Sequence, residues 1–262
     1  MSTGIGVGIS SVFSLKAGRL APVFTCTTDY SLEFDGITEF GDVVGGGPIL
    51  GTGGTGSFTI SVWLKIPTLG NYYVLDSAGA APTPPQGIWS YRAQADGATI
   101  FRSGGGTGAP GNINIETPKM NANQWHLVSI VVDEDNSTGL GYLDGVSGPA
   151  VNLGSRDVEF ISNTLCSLGR SAFGGYFNGL MCHLAIWNKA LTEPQILELY
   201  NNTASKCYAS DFSFSGNLQN YYSMFNPSGA FASPLIDTVG GKNIKLLNMS
   251  ATNVSTDHPP QL

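Results

Sequence analysis

Apolar and polar residues alternate with a period of two through most of this chain, and each such stretch predicts a strand with one buried face. The clearest is SFTISVWLKI at 57–66, where Phe58, Ile60, Val62 and Leu64 share one face and Trp63 and Lys65 the other, with Pro67 ending the run. SLEFDG at 31–36 turns Leu32 and Phe34 inward and stops at Asp35-Gly36, a pair suited to a tight turn. Further strands are expected at 71–76, 87–92, 98–102, around Ile113 and Ile115, and at 123–133. Others are expected at Leu140 and Tyr142 before the Asp144-Gly145 turn, loosely at 158–161, at 179–187, in LQNYYSMF and in KNIKLLNMS. Glycine-rich connections at 45–56, 79–87 and 104–111 separate them.

The period changes once. Thr192 is a good helix N-cap, Gln195 occupies the capping-box position, and Pro194 falls in the first turn, where a missing N–H costs nothing. Ile196, Leu197, Leu199 and Tyr200 then form an apolar stripe, so one short helix is expected near residues 193–202. The preceding strand would send Leu184 and Ile186 into the core, and the helix would cover one end of it. About a dozen short strands and one helix make an all-β chain. Strands with one apolar face must bury it against a second sheet, which predicts an antiparallel jelly-roll sandwich. The domain would span residues 29–250, with an N-terminal extended arm at 1–28 and a C-terminal tail at 251–262.

Composition adds two constraints. Glycine is abundant at 35 residues and charge scarce at 12%, so the surface is made largely of Gly, Ser, Thr and Asn and suits contacts with protein neighbours. A net charge of −7, with 12 Lys+Arg scattered singly, provides no basic patch and argues against nucleic acid. No apolar run is long enough to cross a membrane, and the first residues lack the basic and apolar regions of a signal peptide, so no membrane insertion is expected. Four cysteines, Cys26, Cys166, Cys182 and Cys207, lie too far apart in sequence for a compact thiolate metal motif. Free buried thiols are one expectation. The disulfide to test first is Cys182 with Cys207, which would staple the closing strand to the segment after the helix.

The order SLEFDG, SFTISVWLKI, NQWHLVSIVVD, GYLDG, then LGR through YFNGLMCHLAIWNKALTEPQILELYN resembles the concanavalin A-like jelly rolls (lectin/glucanase type) of the laminin G and pentraxin type over residues 30–203. GNLQNYYSMFN and DTVGGKNIKLLNMS, within 216–250, resemble the terminal segment of such domains in bacteriophage and marine-virus structural proteins. That likeness implies a virion protein: a capsid decoration or tail-associated subunit that binds other virion proteins through its arm and jelly roll and forms a homo-oligomer. The alternative is a lectin-like, carbohydrate-binding module for host or environmental glycans.

The family resemblance also implies a rim where Asp and Asn side chains hold Ca2+. Asp133, Asp135, Asn136 and Asp144 are the candidate ligands, set against a plain solvated hairpin loop. For a glycan, aromatics on loops would stack on a sugar ring; Trp89, Tyr91 and Phe173 are the candidates, with Tyr72 and Tyr73 beside them. Enzyme chemistry is not expected. The paired acids of a glycosidase, Glu-x-Asp-x-x-Glu on one strand, do not occur, and the three histidines, His126, His183 and His258, are not at metal spacing. His126, beside Trp125, is expected to be a satisfied histidine at the core edge.

Overall fold

The computed structural model describes residues 30–44, 56–77, 89–103, 113–154, 166–171, 174–202, 206–224 and 231–260. Along the chain the elements are β1 (Ser31–Asp35), β2 (Phe40–Val43), β3 (Phe58–Lys65), β4 (Tyr72–Asp76), β5 (Trp89–Ala93), β6 (Thr99–Ser103), β7 (Ile113–Glu116) and β8 (Trp125–Asp133). There follow β9 (Thr138–Leu143), β10 (Val146–Ser147), β11 (Val151–Asn152), β12 (Ser167–Leu168), β13 (Asn178–Trp187), α1 (Glu193–Asn202), β14 (Leu218–Tyr222), β15 (Ile244–Leu247) and β16 (Val254–Ser255).

All ladders are antiparallel, and they make two sheets. The nine-stranded sheet runs β10-β9-β8-β3-β13-β1-β16, with β11 beside β9 and β14 beside β13; the seven-stranded sheet runs β15-β2-β12-β4-β5-β6-β7. The jelly-roll sandwich expected from the alternation is therefore the observed fold. Its core takes Ile60, Val62 and Leu64 from β3, with Tyr91 and Phe101 from the facing sheet, all under 1% exposed. Where the sheets close, β9 passes against β7 so tightly that a Cβ at Gly141 would strike the Glu116 carbonyl oxygen. Gly141→Ala should therefore destabilise the protein by about 1–3 kcal/mol in chemical denaturation, since backbone rather than a movable side chain must yield. An unchanged midpoint would refute that close approach.

The nine-stranded sheet is buried on its outer face as well. Pairing aligns Tyr142, Ser129, Ser61, Ala185 and Tyr221 across one row, and Ser129 Oγ donates to Ser61 Oγ at 3.0 Å. These central side chains are small, and larger groups pack beside them. Tyr200 of α1 stacks on Trp63 at 5.7 Å, while Ile196 and Leu199 are buried. The helix thus covers the outer face of a sheet, where the sequence suggested one end of the sandwich. Its start follows the expectation: Gln195 Oε1 accepts from the Thr192 backbone N–H at 2.9 Å.

Two elements carry no clear alternation. In β2, FGDV, the apolar Phe40 and Val43 fall on opposite faces and Gly41 takes the core position, where a Cβ would collide with Ile244. β16 lies in the segment expected to be a tail. It pairs with β1 through Ser31↔Ser255 and Leu32↔Val254. Asp257 anchors it further: its carboxylate accepts from Lys65 Nζ at 2.5 Å and Trp125 Nε1 at 2.7 Å. Burial works against ionisation of Asp257, yet the Lys65 and Trp125 hydrogen bonds hold its carboxyl below the usual range. The expected arm at 1–28 and strand at 158–161 lie outside the described residues.

The expected Cys182–Cys207 bridge does not form. Cys166 and Cys182 are buried thiols that belong to no disulfide, whereas Cys207 is disulfide-bonded. Cys182 sits on β13 facing Trp63 in the ladder, and burial pushes its thiol far up, so it packs as a small apolar group.

Candidate functional site

The outer face of the seven-stranded sheet gathers the polar chemistry of the described residues. In β5 and β6, Trp89, Tyr91, Ala93, Thr99, Phe101 and Ser103 are buried toward the core, which puts Ser90, Arg92 and Arg102 on the other face. Register extends this into a row across the sheet: Lys245, Asp42, Ser167, Asp76, Ser90, Arg102 and Asn114. Tyr73 lies opposite Arg92 in the next row.

At the β2 end of this face the side chains lock together. Asp42 Oδ1 accepts from Ser167 Oγ at 2.6 Å, and Arg170 Nη2 reaches both Asp42 oxygens at 3.2 and 3.3 Å. The Arg170 guanidinium also lies 3.6 Å from the centroid of the Phe40 ring, and Tyr176 approaches Phe40 at 6.3 Å. Phe40, Tyr73 and Tyr176 are each half-buried, presenting part of a ring to solvent. Gly175 lets the backbone approach Tyr73, whose ring atoms would lie 3.1 Å from a Cβ there; its φ of 104° also favours glycine. The result is a platform of partly exposed aromatics beside a guanidinium fixed by a carboxylate.

The residues expected to bind a ligand fall elsewhere. Trp89 is 1% exposed and Tyr91 0% exposed, so neither can stack on a sugar; both belong to the core. Trp89 stacks on Phe101, Tyr91 Oη shares a hydrogen bond with Thr99, and burial pushes the Tyr91 phenol well above its usual range. The Pro-rich sequence before Trp89 suggested a loop, but the alternation of WSYRA governs its position. Phe173 lies outside the described residues. Of the neighbouring aromatics, Tyr73 alone remains on the candidate face beside Arg92; Tyr72 packs edge-on against Phe177.

The four expected calcium ligands do not converge. Asp133 ends β8 and accepts from the Asn136 backbone and side-chain amides at 3.1 and 2.8 Å, an ordinary turn lock; Asp135 and Asn136 are exposed in that turn. Asp144 lies at the far end of the same hairpin, about 20 Å away along six residues of strand. Its oxygens accept from the Leu127 N–H at 2.8 Å and meet His126 Nδ1 at 2.7 Å. Among the described residues no three His, Cys, Asp or Glu side chains come together as a metal site. These residues do not fit a calcium ion.

His126 and Asp144 have the look of a catalytic dyad, but His126 Nε2 accepts from the Asn121 N–H at 3.2 Å. That leaves Nδ1 as the proton-bearing nitrogen, donating to Asp144, with no ring nitrogen to activate a nucleophile. The pair is structural: Asp144-Gly145, at φ 52° and 83°, makes the tight turn, and His126 braces it. Asp35 plays the same part in its turn, accepting from the N–H groups of Ile37, Thr38 and Glu39.

Comparison with known proteins agrees with this architecture. Residues 47–197 match the family described as the concanavalin A-like lectin/glucanases superfamily. No curated protein matches the chain by sequence. Among solved structures, the heptameric SAP-like pentraxin of Limulus polyphemus aligns with a TM-score of 0.51 at 15% identity, covering 72% of this chain and 90% of the pentraxin. A candidate carbohydrate-binding protein of Bacteroides ovatus aligns with a TM-score of 0.55 at 17% identity, covering 87% of this chain and 62% of that one. At such identities the likeness is one of fold. The family match spans more than half of the sequence, and its strands are those of the sandwich described above: the chain belongs to the concanavalin A-like lectin/glucanases superfamily.

Proposed function

We propose that this chain is a non-catalytic carbohydrate-binding module and that glycans bind on the outer face of the seven-stranded sheet. The observation that carries the reading is the platform of Phe40, Tyr73 and Tyr176, with the Arg170–Asp42 pair set beside it. A pyranose offers an apolar face for an aromatic ring and equatorial hydroxyls for charged donors and acceptors. An aromatic surface flanked by a fixed guanidinium and carboxylate supplies both. The relatives named above are a pentraxin and a candidate carbohydrate-binding protein, and the family consists mostly of binding modules. These favour glycan recognition over the expected role as a capsid decoration or tail-associated subunit.

Affinity electrophoresis through a panel of polysaccharide gels tests the proposal. The protein should be retarded by at least one glycan. Phe40→Ala and Tyr73→Ala should each weaken that retardation about tenfold or more, the effect of truncating an aromatic anchor at a binding surface. Retention of full affinity by both variants, each shown to be folded by near-UV circular dichroism, would remove this face from consideration. Free migration through every gel would overturn the carbohydrate reading itself.

A further inference from the structure

Two arginines on the same face are unspent. Arg92 and Ile100 are directly opposite in the ladder, as are Ser90 and Arg102, so the two arginines are diagonal neighbours with Cα atoms about 7–8 Å apart. Arg170, by contrast, is committed to Asp42. Arg102 uses Nε on the Asn114 side chain at 3.0 Å, which orients its guanidinium. Arg92 Nε is buried and has no hydrogen-bond partner among the described residues. Among the described residues neither arginine forms an ion pair, although Asp76 and Glu116 stand on the same face. A buried donor without an acceptor is costly, and a guanidinium is shaped for two parallel bonds to an oxyanion.

We propose that the Arg92–Arg102 pair recognises the anionic group, a carboxylate or a sulfate, of an acidic saccharide lying across β5 and β6. This rests on the carbohydrate-binding reading and gives it a substrate class. Two guanidinium groups at this spacing can converge on one oxyanion through their Nη groups, while Tyr73, opposite Arg92, offers its ring to the sugar. The protein's overall charge points the other way. At −7 it repels polyanions, so a preference for acidic glycans has to be local to these arginines.

Isothermal titration with three oligosaccharides of matched length tests it: an uncharged glucan, an oligogalacturonate and a sulfated heparin fragment. At least one anionic ligand should bind about tenfold or more tighter than the glucan, and added salt should erode that advantage. Comparing the two anionic arms distinguishes carboxylate from sulfate recognition. The double variant Arg92→Gln/Arg102→Gln should lose the preference. Should it prove unfolded by circular dichroism, Arg92→Lys, which keeps the charge but not the fork, serves instead and should lose part of the preference. Glucan binding as tight as or tighter than acidic ligands would overturn this inference while leaving the carbohydrate reading intact. A preference that survives in the folded variants would also overturn it. Binding to no saccharide would overturn both.

Discussion

Replacing Asp237 with alanine should cost about 3–5 kcal/mol of stability. Asp237 is 5% exposed. Its Oδ1 accepts from the N–H groups of Tyr221, Val239 and Gly240 at 3.0, 3.1 and 3.0 Å. Oδ2 accepts from Asn220 Nδ2 at 2.7 Å and the Lys242 N–H at 2.9 Å. Asn220 and Tyr221 belong to β14 of the nine-stranded sheet, and the segment after Lys242 becomes β15 of the seven-stranded sheet. One carboxylate therefore ties an edge of one sheet to an edge of the other. Alanine strands five donors around a cavity. Asparagine preserves the shape but turns an amide toward some of those donors, so its cost should be intermediate. Denaturant titration of the three proteins measures the order; an alanine variant within about 1 kcal/mol of the parent would show the knot to be dispensable.

Acidification from pH 6.5 to 4 should remove about 3 kcal/mol of stability through one histidine. His183 lies in a bulge of β13 at φ 51°, 1% exposed, with Nδ1 2.6 Å from Tyr221 Oη and its ring stacked on Tyr208 at 5.5 Å. The titratable groups that pack beside it are neutral: the Tyr208 and Tyr221 phenols and the neighbouring Cys182 thiol, with burial pushing the Tyr221 and Cys182 groups up. Burial disfavours the imidazolium and brings the pKa of His183 down to about 4. The depressed value fixes the sign. Above pH 6.5 the histidine is neutral whether the chain is folded or not, and its contribution is complete. As pH falls toward 4 the unfolded chain takes up a proton that the folded one refuses, and stability is lost. His183→Asn, a residue that tolerates positive φ, should be less stable at neutral pH but should flatten this slope. Equal slopes for parent and variant over that window would refute the assignment. Below it, loss of the Lys65 and Trp125 hydrogen bonds to Asp257 on protonation adds a further acid-induced weakening.

The strands were legible because each long one carries its own register. In SFTISVWLKI and in NQWHLVSIVVD apolar density marks the element and alternation marks the core face, and both fall where expected. The helix was legible from its cap. The binding face was not, and the reason is physical. Asp42 and Arg170 are 128 residues apart and meet only because β12 pairs with β2, a contact that no local pattern announces. Part of the face was within reach, however. The alternation in WSYRA and TIFRS that buries Trp89, Tyr91 and Phe101 also turns Arg92 and Arg102 outward. The Pro-rich sequence before Trp89 points the other way, toward a loop with exposed aromatics, although aromatic character by itself marks burial as readily as exposure. The disulfide failed for a simpler reason: spacing in sequence says little about where two Cβ atoms meet.

The pairing of β1 with β16 places the beginning and the end of the described fold side by side, and Ser31 Oγ donates to the Asp257 carbonyl at 2.5 Å. The first and last strands of the described fold thus close one edge of the nine-stranded sheet together. Phe40, Tyr73 and the three arginines belong to the other sheet, so residues on β16 can be changed or labelled without touching the face proposed to bind.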